Sequence, residues 1–389
     1  MCECAKKVHK ESDRDWGEIL TEYGVDFAPD TARKAQQPPI LGGVFIKEYL
    51  EQKYSSAGSV DEDEYFKKLR LEKQDIRKEK QKLFDERASL SRLVREQGRK
   101  DDLVEIFKRV IEETVRPEFD YIPNEISDSD ADMIVHFTDV HAGVETYSAF
   151  NTFNSSILEN RIKTYLDEIY MIQKEQHCQD CCVILGGDLI DGLIHVNSRI
   201  EDKENVMQQI MLVSTLISNF IFELSNEFQN VYVYSTPGNH SRANANKELH
   251  VKGENFDCLI PFYLKASLQN LENVHVEENT LDEGICTFTV RGHVVYGSHG
   301  DKDTIQSVVT NMTKFARKAG YPLPDMIYLG HRHSNSLTTV DDVKVIQGGC
   351  FDGMDSYSID KRLVGTPEQM VTIISERKRI KALYDIQLD

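Results

Sequence analysis

Three kinds of hydrophobic pattern follow one another along this chain. Near the start, Trp16, Ile19, Leu20 and Tyr23 recur at i, i+3, i+4 and i+7. That spacing is one face of a helix, which Asp13 or Asp15 can cap and Gly24 can stop. Pro29 fits the first position of a second helix, and Pro38-Pro39 ends it. An N-terminal all-helical region over 1–60 with helix-turn-helix character is therefore predicted, with Thr31, Arg33, Lys34 and Gln37 facing a duplex. In the other reading the two helices form a hairpin that docks a partner or the domain that follows. A polar, acidic linker at 54–63 comes next. Leu69, Ile76, Leu83 and Leu90 then recur every seven residues, a coiled-coil stripe. Leu103, Ile106, Phe107, Val110 and Ile111 begin another amphipathic helix, which Pro117 stops. Residues 61–130 thus read as a charged, coiled-coil-like connector through which a homodimer could form.

From about residue 131 strand and helix patterns alternate. Strands are predicted at 134–138, 182–186, 231–236, 274–276, 286–290, 293–297, 326–329, 336–340, 343–346 and 371–374. Helices are predicted at 157–176, 206–228, 256–271 and 304–318. Alternation of this kind gives an α/β domain over 131–389, with sheets covered by helices.

Composition changes this picture little. The chain has 389 residues and a formal net charge of −19, which argues against an indiscriminate nucleic-acid coat. Charge is unevenly placed, since residues 66–100 carry 13 Lys/Arg against 6 Asp/Glu, a local +7 that leaves −26 elsewhere. No apolar run of about 18 residues and no secretory signal after Met1-Cys2-Glu3-Cys4 are found. A protein with no membrane span, reduced thiols and a cytoplasmic location is expected. Cys178, Cys181 and Cys182 resemble half a zinc site, but no second pair at matching spacing completes it.

Candidate chemistry changes the picture most. Five apolar runs end at once in metal-ligating residue types: Asp139-Val140-His141, Gly187-Asp188-Leu189-Ile190-Asp191, Gly238-Asn239-His240, His299, and Gly330-His331-Arg332-His333. Buried strands followed directly by Asp, Asn and His suit a sheet whose strand ends converge on one mouth. Carboxylate and amide oxygens mixed with imidazoles suit Mn, Fe, Zn or Ni better than calcium or a closed thiolate site. The remaining histidines, at 9, 136, 177, 195, 250, 275 and 293, lack that setting and are expected to be satisfied in the core or on the surface.

Taken in order, these five motifs resemble the signature of the calcineurin-like metallophosphoesterase superfamily over roughly residues 133–385. The resemblance implies a four-layer αββα sandwich and a hydrolase with two divalent ions, Mn above all, with Fe, Zn, Ni or Mg as alternatives. It implies that Asp139, His141 and His333 hold one ion, that Asn239, His299 and His331 hold the other, and that Asp188 bridges them. A bridging hydroxide would attack phosphorus, with His240 beside the leaving oxygen and Asp191 orienting its ring and raising its pKa.

Gly192 after Asp191 and Ser241 after His240 depart from the protein-phosphatase pattern. The stretch from Gly238 through Arg242 to Asp257 is similar to phage and prophage phosphoesterases of the repair-exonuclease-like kind. Arg242 and Arg199 are candidates to bind substrate phosphate. The function expected is a phosphodiesterase acting on DNA, an exonuclease-like nuclease. The alternatives are a small-molecule nucleotide or cyclic-nucleotide phosphoesterase, a protein phosphatase and a non-catalytic scaffold.

Overall fold

The computed structural model describes residues 129–194, 204–251, 253–362 and 364–389, together with positions 18, 21, 78–80 and 82. The chain divides into two units, Met1–Arg109 and Val110–Asp389, and the sheets and their covering helices belong to the second. The helix pair expected over 1–60, the heptad stripe from Leu69 to Leu90 and the candidate Arg199 lie outside the described residues.

The elements run in the order β1 (Ala131–Phe137), β2 (Thr146–Tyr147), β3 (Thr152–Phe153), α1 (Ser155–Gln176), β4 (Asp180–Leu185), α2 (Val206–Glu227) and β5 (Asn230–Ser235). Then come α3 (Leu259–Ser267), β6 (Val274–Val276), β7 (Cys286–Val290), β8 (His293–Ser298), α4 (Ile305–Ala319) and β9 (Met326–Leu329). The last are β10 (Ser336–Val340), β11 (Val343–Gln347), α5 (Ser356–Lys361), β12 (Glu368–Ser375) and β13 (Lys378–Gln387). This is a mixed α/β fold.

One sheet has the order β13-β12-β1-β4-β5-β6, the other β10-β11-β9-β8-β7, and β2 pairs only with β3. In the first, β1, β4, β5 and β6 run parallel. In the second, β8, β9 and β11 do. Parallel strands covered on both faces are expected to be apolar throughout, and β1, with sequence ADMIVHF, is buried at all seven positions. Its alternate residues serve different layers. Phe137 packs on Tyr165 of α1, Phe220 of α2 and Phe351. Ile134 joins Ile184, Phe288, Tyr328, Ile346 and Met370 in a core shared by the two sheets. Outside the second sheet, Val308, Val309, Met312 and Ala316 of α4 pack on Tyr296, Ile327 and Val345. Burying one such aliphatic or aromatic side chain contributes about 1.5–3 kcal/mol.

Differences from the sequence reading are local. The expected helix at 256–271 is a 3-10 turn, Phe256–Cys258, followed by the shorter α3. The β2–β3 hairpin and β13 had no clear pattern in the sequence. β13 is an edge strand on β12, and its charged Lys378, Arg379, Lys381 and Asp385 break the apolar run. Among the described residues α2 alone is long and apolar enough to cross a membrane by length and composition, although Gln208, Gln209, Ser214 and Ser218 interrupt its apolar run. Its Ile210, Val213, Ile217, Phe220, Ile221 and Leu224 are buried in the domain.

Candidate metal centre

Each candidate ligand lies just past the carboxyl end of a parallel strand. Asp139 and His141 follow β1, Asp188 and Asp191 follow β4, Asn239 and His240 follow β5, His299 follows β8, and His331 and His333 follow β9. Two sheets therefore aim five strand ends at one place, where ligands collect in open α/β sheets. The loops after β1 and β4 continue to bond to each other. Asp139 N donates to Gly187 O (3.0 Å), and Val140 N and His141 N both donate to Asp188 O (2.9 and 3.1 Å). Of ten described non-glycine residues with positive φ, five are Asp139, His141, Asp188, His331 and His333. Such backbone is strained by about 1–3 kcal/mol per residue and persists where the surroundings impose it, typically at functional sites.

These loops gather the donors. Asp139, His141 and His333 place one ligand atom each within 4.8 Å of one another, and so do Asp188, His299 and His331. Asp188 also groups with His141 and His240, so its carboxylate lies between the two sets. His299 Nε2 is 2.9 Å from Asp188 Oδ2 and 3.3 Å from Asn239 Oδ1, while its Nδ1 bonds to Gly186 O (2.8 Å). His141 Nε2 and His333 Nε2 face each other at 3.2 Å. Imidazole nitrogens and carboxylate oxygens aimed at common points fit divalent cations of the Mn, Fe and Zn type. His240 stands to one side, its Nδ1 3.2 Å from Asp191 Oδ1 and 3.2 Å from Asp191 O. Asp191 Oδ1 also lies 3.9 Å from His141 Nδ1.

The carboxylates and imidazoles of the cluster hold one another in their charged forms. Burial would raise the Asp139 carboxyl, but its bond to His333 and the nearby His299 hold it at about 2. Burial also opposes ionisation of Asp188, yet His299 and His240 keep it well below the usual carboxylate range. Burial disfavours a charged His299, but Asp188 lifts it to about 10. His141 is likewise lifted to about 9, against burial, by Asp352 and Asp191. Burial and the neighbouring His299 push His331 down to about 4.

A second ring of groups holds the ligands, and sequence spacing did not reveal it. Asp257 is fully buried and its Oδ2 accepts from Asp188 N (3.0 Å) and Gly238 N (2.9 Å), while Ser241 Oγ donates to Oδ1 (2.6 Å). One carboxylate thus ties the β4 and β5 loops together. Asn255 Nδ2 adds a bond to Gly238 O (2.7 Å). Gln369 of β12 pairs with both backbone groups of Thr138, and Thr138 Oγ1 donates to Asp139 Oδ2 (2.6 Å). His331 N donates to both Asp139 oxygens (3.1 and 2.9 Å), a contact only glycine permits at 330, where a Cβ would overlap Thr138 Oγ1 and Asp139 Oδ2.

Above the ligands is a cavity of about 520 Å³ lined by His141, Asp188, Asn239, His240, His331 and His333, with Arg332 on its wall. The sequence reading missed Arg332, which stands between two ligands and donates to Asp303 O (3.0 Å). Arg242 is half-buried, bridged through its backbone to Asn255, and is not among the residues lining that cavity. His136 corrects an expectation. It is fully buried between the sheets, and neither ring nitrogen meets a hydrogen-bond partner among the described residues. Burial pushes it down to about 4, so the ring is neutral. Cys178, Cys181, Cys182, Cys258, Cys286 and Cys350 are free thiols.

No protein-family model matches this chain. The SPbeta prophage-derived uncharacterized protein YonJ of Bacillus subtilis (strain 168) is 23% identical over 300 residues, 75% of this chain and 73% of that protein. Similar solved structures include an archaeal phosphodiesterase, with 17% identity and a TM-score of 0.32 over 66% of this chain and 99% of that one. Another is Vps29 of Entamoeba histolytica complexed with zinc, at 12% identity and a TM-score of 0.29 over 66% and 99%. A third is a predicted phosphoesterase of Streptococcus pneumoniae TIGR4, at 8% identity and a TM-score of 0.28 over 67% and 99%.

Proposed function

We propose that this chain is a two-metal phosphodiesterase of the calcineurin-like type, with a four-layer αββα catalytic domain, and that it cleaves DNA. The observation that carries the reading is the convergence of two triads of donors, Asp139/His141/His333 and Asp188/His299/His331, with Asp188 between them and Asn239 alongside. When bound, two such cations, Mn foremost, would activate water and neutralise charge on the phosphoryl oxygens. The remaining work falls to the protein. Asp191 anchors Nδ1 of His240, which orients the ring on the cavity wall. From there His240 donates a proton to the leaving oxygen. Arg332 offers guanidinium donors to the phosphate or its neighbour.

Two features support nucleic acid as the substrate. Tyr147 and Phe150, at the β2–β3 hairpin, are 69% and 70% exposed, and exposed aromatics stack on bases irrespective of sequence. That hairpin is tied to the cavity wall, since Asn151 Nδ2 donates to Asp352 O (2.7 Å) and Met354 O (3.1 Å), next to Gly353 of the lining. The relative described as prophage-derived is in keeping with a phage-borne repair-exonuclease-like enzyme. In this reading the N-terminal residues select DNA or pair two copies of the chain. A second reading, a phosphoesterase for free or cyclic nucleotides, is favoured by the cavity, whose volume is that of a small-molecule site.

The deciding experiment is Mn-restored hydrolysis after chelation. End-labelled single- and double-stranded DNA would be run beside a generic phosphodiester dye, with wild type and His240→Asn. Cleavage of DNA that is lost in the variant is the expected result, and the label gives its direction. Dye cleavage with DNA left intact would keep the metal chemistry and replace DNA by a small nucleotide.

A further inference from the structure

Asp352 lies in the turn after β11 and is 1% exposed, and among the described residues its carboxylate oxygens meet no nitrogen or oxygen hydrogen-bond partner, only the neighbouring Cys350 thiol. A buried carboxylate left in that condition is strongly unfavourable unless it serves a neighbouring group. Its Oδ1 is 3.8 Å from Nδ1 of His333, an ion-pair separation. The other nitrogen of the same ring, Nε2, lies 3.4 Å from Asp139 Oδ1 and 3.2 Å from His141 Nε2. His333 therefore stands between the first triad and Asp352, one nitrogen toward each.

The turn that presents Asp352 is braced from behind. Arg161, 4% exposed, donates through Nη1 to Phe351 O (2.6 Å) and Asp352 O (3.1 Å), and Asn151 holds Asp352 O as well. Phe351 N donates to Asp139 O (2.9 Å), so the same turn is fastened to the first candidate ligand.

We infer that Asp352 is a positioning residue: its carboxylate keeps the proton of His333 on Nδ1, facing it, so that Nε2 is presented without a proton to the cation of the first triad. A carboxylate behind a metal-ligating imidazole fixes its tautomer and strengthens it as a donor. This rests on the metal-dependent reading of the site. Cys350 also groups with His333 and Asp352 within 4.8 Å. A further cation there would require both nitrogens of His333 to bind metal, which a single neutral imidazole cannot do.

The test compares full-length wild type, Asp352→Asn and Asp352→Leu by Mn²⁺ titration calorimetry, absorption of the Co²⁺-loaded protein, and melting in chelator. Asp352→Asn is close in shape and guards against a folding defect in the leucine variant. The expected result is two ions in wild type and, in both variants, roughly ten- to hundredfold weaker binding of one of them. The Co²⁺ bands should shift, and the melting temperature should drop more in the presence of Mn²⁺ than in chelator. Wild-type affinity for both ions in the variants would overturn the inference, as would a drop in melting temperature in chelator as large as the drop in Mn²⁺. Loss of a third bound equivalent would also overturn it in favour of a separate site. Failure of wild type itself to bind Mn²⁺ would sink the metal reading, and this inference with it.

Discussion

His240 and Asp191 are near neighbours in space but sit differently toward the donor cluster, and that makes them separable. His240 touches Asp191 and the cavity, whereas Asp191 reaches both His240 and His141. His240→Asn should therefore lower kcat by about 10²–10⁴, the range for general acid–base catalysis, with metal content intact. Asp191→Asn should lower kcat and weaken metal binding together. Turnover measured beside metal analysis of the same samples checks both. Asp257 carries a structural prediction. Asp257→Ala would leave two buried backbone amides and the Ser241 hydroxyl without their acceptor, so a loss of about 1–3 kcal/mol for each group left unsatisfied is expected in denaturant unfolding. The seven candidate ligands could be picked out in the sequence because each follows its strand within a few residues. The bracing role of Asp257, named in the sequence only within the Gly238-to-Asp257 stretch, could not, because Asp257 stands 69 residues from the Asp188 amide it holds. Gln369, 231 residues from Thr138, is hidden in the same way. Contacts of that kind depend on the folded chain and leave no local period.

At the scale of elements, strands buried on both faces could be read with little error, since their apolar runs are uninterrupted and their ends are marked by ligands. Two-residue β2 and β3 are too short to show a period, and β13 alternates charge with half-buried positions. The hairpin nevertheless has a role to test. It is held by Arg161 and Asn151 to the turn at 351–354, and its Tyr147 and Phe150 remain exposed. If these rings stack on bases, Tyr147→Ala and Phe150→Ala should each weaken single-stranded DNA binding by about 1–3 kcal/mol. KM for DNA should rise accordingly, with dye hydrolysis unchanged. Equal effects on both substrates would instead mean that the hairpin supports the cavity wall and does not touch DNA.

For the whole molecule, charge poses the central difficulty of the proposed DNA reading, in which a chain of net charge −19 approaches a polyanion. Cations held at the cavity would resolve it locally, and their binding would be tied to protons. In metal-depleted protein His141 and His299, lifted to about 9 and 10, hold protons that an incoming cation must displace. Both pKa values lie above the ordinary histidine value of about 6.5. The stability they contribute is thus fully present below about pH 6.5 and is lost as pH rises through about 9 to 10. The melting temperature of chelated protein should accordingly fall between pH 6.5 and 9. Metal affinity should move the opposite way, tightening by up to about tenfold per pH unit for each proton displaced. At a hundredfold excess over its dissociation constant the metal adds about 2.7 kcal/mol, so the gap between loaded and chelated protein should widen with pH. Melting curves at four pH values, with and without Mn²⁺, test this directly. A gap that stays constant or closes would mean that the imidazoles surrender no protons, and that the cations sit elsewhere than among these seven residues.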